Sequence, residues 1–398
     1  MTSRARVALL AGALALLSGA PVAAQTPAPR AVTIAYVDRE GDPAYRGSTG
    51  YAGLFRRVAA SPFPAAELAV ADSAAAARVA GLRITLMHKT LAEGEIAAAT
   101  VAALGRDEGA VAAVLDLPPQ EMRAAALALV AEPIVLFNAR DRDDELRRTT
   151  CRTRLFHTMP SRSMLYDGLA QGLVALGWSR VLLLRGPLDE DQAVAAAFAA
   201  SAKKFGLRIA ETRPMLPGND PRKRDQINTR LLTANVDYDV VFVSDSVGEM
   251  GRSVAFGQTR PRPVVGTHGL QPSAWHAFWE RHGAPQLNRR FHRATGRPMA
   301  DADWATWVAV RAVIAALIAH RDVVPGDLGT ALLDPASRLE LYKALPGSFR
   351  PWSRQLRQAI LLGTHDVVQT FAPVDGVLHE KNQLDTLGPD EPEFVCSQ

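Results

Sequence analysis

The chain has few of the residues that build metal centres or catalytic machinery. It contains two cysteines, Cys151 and Cys396, in 398 residues. It has no G-x-S-x-G turn, no H-E-x-x-H helix and no phosphate-binding glycine loop, and those motifs carry hydrolase, peptidase and nucleotide chemistry. His157, Asp245 and His268 could converge in an enzyme, but we interpret them as hydrogen-bonded loop residues. We therefore expect no metal site, no cofactor and no catalytic residue.

The chain also has little excess charge. Its formal net charge is +4, and about two of these charges leave with the N-terminal segment described next. A nucleic-acid-binding surface needs a concentrated basic face. The sequence therefore predicts a protein that does not bind nucleic acid.

One apolar run stands at the N-terminus, and it is too short to span a bilayer. Arg4 and Arg6 precede it, the run covers Val7–Leu17, and small residues end at Ala24. This is the pattern of a secretory signal peptide covering residues 1–24 and cleaved near Ala24. Export to an oxidising space favours a disulfide between Cys151 and Cys396. Two buried free thiols are the alternative.

The roughly 370 residues of the mature chain are too many for one ordinary core, so we expect two domains. Apolar strands alternate with helical segments in two successive series, which predicts an α/β protein with two doubly wound parallel sheets. The first series has strands at Val32–Val37, Leu82–Met87, Ala110–Leu115 and Ile134–Phe137, and helices at Gly50–Ala60, Ala92–Gly105 and Glu121–Ala131. The second has strands at Val181–Leu184, Ile209–Thr212, Val240–Val243 and Val264–Val265, and helices at Ser163–Leu176, Asp189–Phe205 and Gln226–Leu232.

The pattern changes after a long helix that opens near Asp301 and reaches about Ala319. We expect Ser348–Trp352 to pair with Ile360–Leu362, followed by a small antiparallel element at Val367–Phe371 and Gly376–His379. Such an order implies a chain that crosses repeatedly between two lobes. We assign residues 31–152 and 271–340 to the first lobe, and 153–270 and 341–398 to the second.

Ligands of doubly wound sheets bind beyond the carboxyl ends of the strands. Four of the six tryptophans lie between Gly266 and Ala316, and Trp304 and Trp307 stand in the first turn of their helix. We expect Trp304, with Trp307 as the alternative, to stack on a flat ligand. The strand-end loops supply the other candidate ligand-binding residues: Arg39, Asp116, Asn138, Arg140, Arg185, Asp245 and His268.

An export signal followed by two lobes of this order resembles the type I periplasmic binding proteins of ABC importers, specifically the branched-chain-amino-acid group. Four segments resemble, within that group, the binding proteins associated with alcohol oxidation dependent on pyrroloquinoline quinone (PQQ). They are Phe137–Asn138 through Asp143–Arg147 to Cys151–Arg152; Gly266–Leu270 with Trp279–Arg281; Phe349–Trp352 with Gln355–Gln358; and Leu384–Gly388 ending at Cys396.

The resemblance implies a monomeric periplasmic protein with two Rossmann-like lobes on a multi-crossing hinge, a membrane permease as partner, and PQQ or a related compound as transported ligand. PQQ carries three carboxylates, which arginine forks would meet. Amino-acid binders of this fold place hydroxyl residues after the third strand. Here that loop, Asp116–Pro119, has no hydroxyl, which argues against a leucine-like ligand. The alternatives are a binding protein for a branched-chain amino acid, an amide or an alcohol-derived metabolite, and the sensor input of a membrane kinase.

Overall fold

The computed structural model describes residues 29–46, 59–335 and 337–397 of the chain. The expected signal peptide lies outside the described residues, and so does the helix expected at Gly50–Ala60, except for its last two residues, which are not helical.

A five-stranded parallel sheet forms the first lobe. All residues of its third strand are buried, because helices cover both faces of a parallel sheet. The strands are β1 (Arg30–Arg39), β2 (Leu82–Leu91), β3 (Ala110–Asp116), β4 (Val135–Asn138) and β5 (Leu155–His157), in the order β2-β1-β3-β4-β5. The helices between them are α1 (Phe63–Val79), α2 (Ala97–Asp107), α3 (Pro119–Ala128) and α4 (Asp144–Thr150).

A four-stranded parallel sheet forms the second lobe. Its strands are β6 (Arg180–Arg185), β7 (Arg208–Pro214), β8 (Val240–Ser244) and β9 (Val264–Gly266), in the order β7-β6-β8-β9. The longer helices α5 (Arg162–Ala175) and α6 (Asp189–Lys204) pack on one face. The short helices α7 (Arg224–Ile227), α8 (Thr229–Leu232) and α9 (Val254–Gly257) belong to the crossovers, and Leu232 and Val254 pack on the other face.

The remaining elements return to the first lobe or join the two lobes. They are β10 (Gln271–Ser273), α10 (Ala284–Thr295), α11 (Asp301–Ala319), α12 (Leu328–Leu333), β11 (Ser348–Phe349), β12 (Leu356–Arg357), β13 (Ile360–Gly363) and β14 (Val368–Ala372). Strands β10, β13 and β14 form an antiparallel sheet, and β11 pairs with β12. The expected pairing of Ser348–Trp352 with Ile360–Leu362 is therefore wrong, and Gly376–His379 is not a strand.

Helix α11 is the central core helix of the first lobe. It is long and apolar enough to cross a membrane by length and composition, but 72% of its apolar window is buried. It packs against α1, a helix that the sequence analysis did not anticipate. Small side chains on α1, namely Ala65, Ala66 and Ala69, are completely buried in the same core, and their size allows two helices to approach closely.

The small antiparallel sheet connects the two hydrophobic cores. Successive side chains of a strand point to opposite faces. On β13, Leu361 joins the core of the first lobe, whereas Ile360 and Leu362 join the core of the second. A single strand thus stabilises both lobes.

Two glutamines hold together two segments that run between the lobes, residues 157–161 and residues 349–360. The Gln355 side chain donates to the carbonyls of His157 and Met159, both at 3.1 Å. The Gln358 amide donates to the carbonyl of Thr158 at 2.9 Å. Both glutamines are buried, so these segments are held together away from solvent.

The C-terminal tail spans both lobes. Its Gly388 N–H donates to the Asp167 carboxylate on α5 at 2.8 Å. Further along, Cys396 forms a disulfide with Cys151, which follows α4 of the first lobe, with the Cα atoms 6.1 Å apart. The predicted disulfide is confirmed.

The lobe boundaries expected from the sequence need adjustment in two places. Strand β5, Leu155–His157, pairs with β4 in the first sheet, although its residues were assigned to the second lobe. Phe349 and Leu356 pack in the core of the first lobe, although 341–398 was also assigned to the second. In both cases the chain completes a contact with one lobe before it crosses to the other.

Candidate functional site

The carboxyl ends of β1 and β3 and the loops after β1 and β4 bring together a buried polar cluster in the first lobe. At its centre lies Asp116, which is 1% exposed. The Tyr36 hydroxyl donates to Asp116 Oδ2 at 2.7 Å, and the Tyr45 hydroxyl donates to the same oxygen at 2.6 Å. Burial raises the pKa of Asp116, and the hydrogen bonds from both tyrosines act in the opposite direction.

Arg140 lies beside this carboxylate and is held by a second one. Its NH1 and NH2 groups donate to the two oxygens of Asp42, at 2.5 and 3.2 Å, and NH1 is 3.5 Å from Asp116 Oδ1. Burial alone would lower the pKa of Arg140, but its contacts with Asp42 and Asp116 raise it on balance. The guanidinium is therefore charged but already paired. A ligand carboxylate would share it with Asp42.

Sequence reasoning missed both tyrosines of this cluster, Tyr36 and Tyr45, and Tyr45 is the one in a loop. Its pKa is raised first by burial and then by the charge of Asp116, so the hydroxyl stays protonated and donates. The Arg140 guanidinium lies 5.7 Å from the centre of its ring, within the range of a cation–π contact. The signal was available, since Tyr45 follows Asp42 in a strand-end loop that the carboxyl-end rule selects.

Two of the predicted residues shape this part of the lobe. Asn138 is completely buried. Its Oδ1 accepts from the backbone N–H groups of Arg140 and Asp141, at 3.0 and 2.8 Å, and these bonds set the path of the loop. Arg39 donates to Glu121 Oε2 through Nε at 2.8 Å and to the carbonyl of Ala92 at 2.8 Å. It thus links β1 to α3 and is not brought together with Arg140.

His157 lies beneath the cluster, at the end of β5. It is completely buried, and burial lowers its pKa well below the usual value. Its Nδ1 lies 3.0 Å from the Asn138 amide nitrogen, which can only donate. The neutral ring therefore carries its proton on Nε2, for which no hydrogen-bond partner is present among the described residues. The structure does not bring His157 together with Asp245 and His268, which follow strands of the other sheet.

The strand ends of the second lobe contribute a smaller polar group. Asp245, 1% exposed, accepts from the backbone N–H groups of Met250 and Gly251, both at 2.8 Å. Its role is to fold the loop after β8. The His268 ring lies against that loop, because a Cβ added to Gly251 would stand 2.3 Å from its Nδ1. Arg185 is half-buried, and its side chain has no partner in the part of the chain that the structure describes.

The position expected for the tryptophans is corrected by the structure. Trp304 and Trp307 are both completely buried, because α11 is enclosed on all sides. The indole N–H of Trp304 donates to the carbonyl of Leu341 at 3.3 Å, and Lys343 Nζ lies 3.7 Å from the centre of its ring. The indole N–H of Trp307 donates to Asp72 at 3.1 Å. Neither ring presents a face for stacking in this conformation.

No cluster of three or more potential metal ligands occurs within residues 29–46, 59–335 and 337–397. The candidate site consists of a tyrosine hydroxyl, a buried carboxylate and a shared guanidinium in the first lobe. In the second lobe it has a guanidinium that no described side chain pairs with. These groups suit recognition of a small polar molecule.

Comparison with solved structures shows the fold. A branched-chain amino acid ABC transporter periplasmic ligand-binding protein from Burkholderia xenovorans has a TM-score of 0.65 and 13% identity, covering 85% of this chain and 95% of its own. A branched-chain amino acid transporter substrate-binding protein from Streptococcus pneumoniae, in complex with isoleucine, has a TM-score of 0.59 and 15% identity, covering 86% and 99%. A solute-binding protein from R. palustris, in complex with benzoate, has a TM-score of 0.57 and 14% identity, covering 86% and 96%.

The chain therefore has the type I periplasmic binding protein fold. No protein-family model matches its sequence, and no curated protein matches it.

Proposed function

We propose that this protein is the periplasmic substrate-binding component of an ABC importer and binds a small organic molecule between its two lobes. It is exported by its N-terminal segment, acts as a monomer and delivers its ligand to a membrane permease. The observation that carries the proposal is the cluster of Tyr45, Asp116 and Arg140 at the carboxyl ends of the first sheet. This is where the fold binds ligands.

The proposed ligand carries a carboxylate. Arg185 has no competing side-chain partner in the described ranges, and guanidinium groups recognise carboxylates by paired hydrogen bonds. Isoleucine and benzoate, bound by two proteins of the same fold, share a carboxylate. PQQ, which the sequence resemblance suggests, has three. In this arrangement Arg185 and Arg140 contact the carboxylate, and Tyr45 and Asp116 contact a hydroxyl, amine or quinone-hydrate group.

The test is calorimetric titration of the mature protein with PQQ, isoleucine and benzoate separately. We expect one of them to bind. The Arg185→Gln variant should bind that ligand about tenfold or more weakly, since a hydrogen bond to a charged group contributes about 1.5–3 kcal/mol. Arg83→Gln is the matched control, because Arg83 is exposed and stands on an outer strand of the first sheet.

The outcomes separate the ligand from the site. If none of the three compounds binds, the ligand class is wrong. If one binds equally well to the wild-type protein, to Arg185→Gln and to Arg140→Gln, the site is wrong although the binding function stands.

A further inference from the structure

The outer face of the second lobe, opposite α5 and α6, carries a concentration of positive charge. It is formed by the crossover from β7 to β8 and the crossover from β8 to β9, both of which contain only helices of a single turn. All the basic residues on it are exposed. We call this surface the basic face, and its residues are Arg222, Lys223, Arg224, Arg230, Arg252, Arg260 and Arg262.

The two crossovers form one continuous surface. The Thr259 hydroxyl of the second crossover donates to the carbonyl of Arg230 in the first at 2.8 Å. The Thr259 N–H donates to the hydroxyl of Thr233 at 2.9 Å. Gly257 is packed so closely that an added Cβ would stand 2.9 Å from the Cβ of Thr229. The charges of both segments therefore act together.

Most of these basic side chains form no ion pair with a described residue. Residues 220–230 and 252–262 contain seven basic and two acidic residues. Of the seven, Arg222 alone forms an ion pair with a described residue, namely Asp220. Three of the four acidic residues in 231–251 are engaged elsewhere, because Asp237 and Asp239 bind Arg180 and Asp245 binds backbone N–H groups. Within the two segments themselves, seven basic residues stand against two acidic ones, an excess of five positive charges.

A single aromatic side chain protrudes from the basic face. Phe256 on α9 is 92% exposed, and Leu231 nearby is 41% exposed. Protein interfaces bury their aromatic residues in a core that is depleted of charged residues. A lone protruding phenylalanine surrounded by arginines instead suits the lipid headgroup region, where basic residues meet phosphate and an apolar side chain inserts shallowly.

We propose that the basic face binds the surface of an anionic lipid membrane, with Phe256 inserted among the headgroups and the arginines on lipid phosphates. This surface lies on the helical crossovers of the second lobe, apart from Tyr45 and Arg140 of the proposed ligand site. The proposal is therefore independent of which ligand the cleft takes.

The experiment is cosedimentation of the mature protein with phosphatidylglycerol-containing vesicles and with pure phosphatidylcholine vesicles. We expect binding to the first and not to the second, and loss of binding at high salt, because exposed charges are screened. The triple variant Arg252→Gln, Arg260→Gln, Arg262→Gln should bind about a hundredfold more weakly, since each basic residue near an anionic surface changes binding about fivefold.

Matched controls make the test specific. The variant Arg83→Gln, Arg123→Gln, Arg293→Gln removes the same charge from exposed positions of the first lobe and should bind as the wild-type protein does. Phe256→Ala should weaken binding, whereas Leu378→Ala, at a side chain 86% exposed elsewhere, should not. The proposal is overturned if both triple variants lose binding equally. It is also overturned if the wild-type protein does not bind phosphatidylglycerol vesicles. Binding to soluble polyglutamate would then identify an acidic protein as the partner.

Discussion

Replacing Asp385 by asparagine should destabilise the protein more than any substitution of an exposed charge. Asp385 is 1% exposed and lies between two arginines. Its Oδ1 accepts from Arg350 Nε and from Arg357 Nε, both at 2.8 Å. Asparagine keeps the shape but removes the negative charge, so Arg350, also 1% exposed, would be buried without a counter-charge.

The expected cost follows from that stranded charge. Removing one partner of a buried ion pair costs about 3–5 kcal/mol. Arg350 keeps two hydrogen bonds, to the carbonyls of Leu384 and Leu387 at 2.8 and 2.7 Å, so we expect the lower part of this range. Arg357 is 13% exposed and can turn towards water. A loss of about 3 kcal/mol is a large fraction of the 5–15 kcal/mol typical of folded proteins.

The assay is urea unfolding followed by tryptophan fluorescence, with the midpoint and the slope fitted separately. Glu391→Gln is the matched control, because Glu391 forms an exposed ion pair with Lys381 in the same tail, and its midpoint should barely move. The double variant Asp385→Asn, Arg350→Gln should be more stable than the sum of the single effects predicts, since the stranded charge is removed too. Additive effects, or a shift for Asp385→Asn no larger than that for Glu391→Gln, would show that Arg350 is not left as an uncompensated buried charge.

Three other predictions concern the disulfide and two buried bases. Replacing Cys151 and Cys396 by serine should lower the free energy of unfolding by about 5 kcal/mol in the chain-entropy model, because the bond closes a loop of 245 residues. Since the folded protein keeps His157 neutral, wild-type stability should fall by up to about 1.4 kcal/mol per pH unit below the unfolded pKa of about 6.5, and His157→Gln should lack this contribution. Burial lowers the pKa of Lys343 well below its usual value, so the unfolded state binds the extra proton. The stability of the wild-type protein relative to Lys343→Met should therefore rise with pH up to about 10.4. Urea midpoints of His157→Gln and Lys343→Met measured across pH check both predictions. Midpoint curves parallel to that of the wild-type protein would contradict them.

The fold could be predicted from the sequence to a large extent because its signals are local. The runs Ala110–Leu115 and Val240–Val243 are short, apolar and bounded by polar loops, and both are buried strands. The missed helix α1 is rich in alanine and lacks large apolar residues in a clear stripe. Its burial depends on α11, more than 200 residues later in the chain, and that contact has no local signal.

The site was harder to predict because an arginine's role depends on its tertiary partner. Arg39 pairs with Glu121 and Arg140 with Asp42, and neither pairing can be inferred from sequence spacing. The position expected for the Trp304 ring differs from the observed one for a related reason. A first-turn position places a residue at the end of a helix, but it does not say whether that end is covered, and here Leu341 and Lys343 cover it.

The sequence motifs and the candidate ligand contacts overlap only in part. Three of the stretches that resemble the PQQ-associated proteins, Phe349–Trp352, Gln355–Gln358 and Leu384–Gly388, lie where buried side chains hold the inter-lobe segments and the tail together. Of the candidate contacts, Tyr45 and Arg185 lie in other loops, whereas Arg140 lies within the first resembling segment, between Asn138 and Asp143. Two proteins that share the first set would share a way of joining their lobes, whatever they bind. In these three stretches the resemblance concerns how the lobes are joined, and the ligand is determined at the strand ends, where Arg185 and the Tyr45–Asp116 pair lie outside the resembling segments.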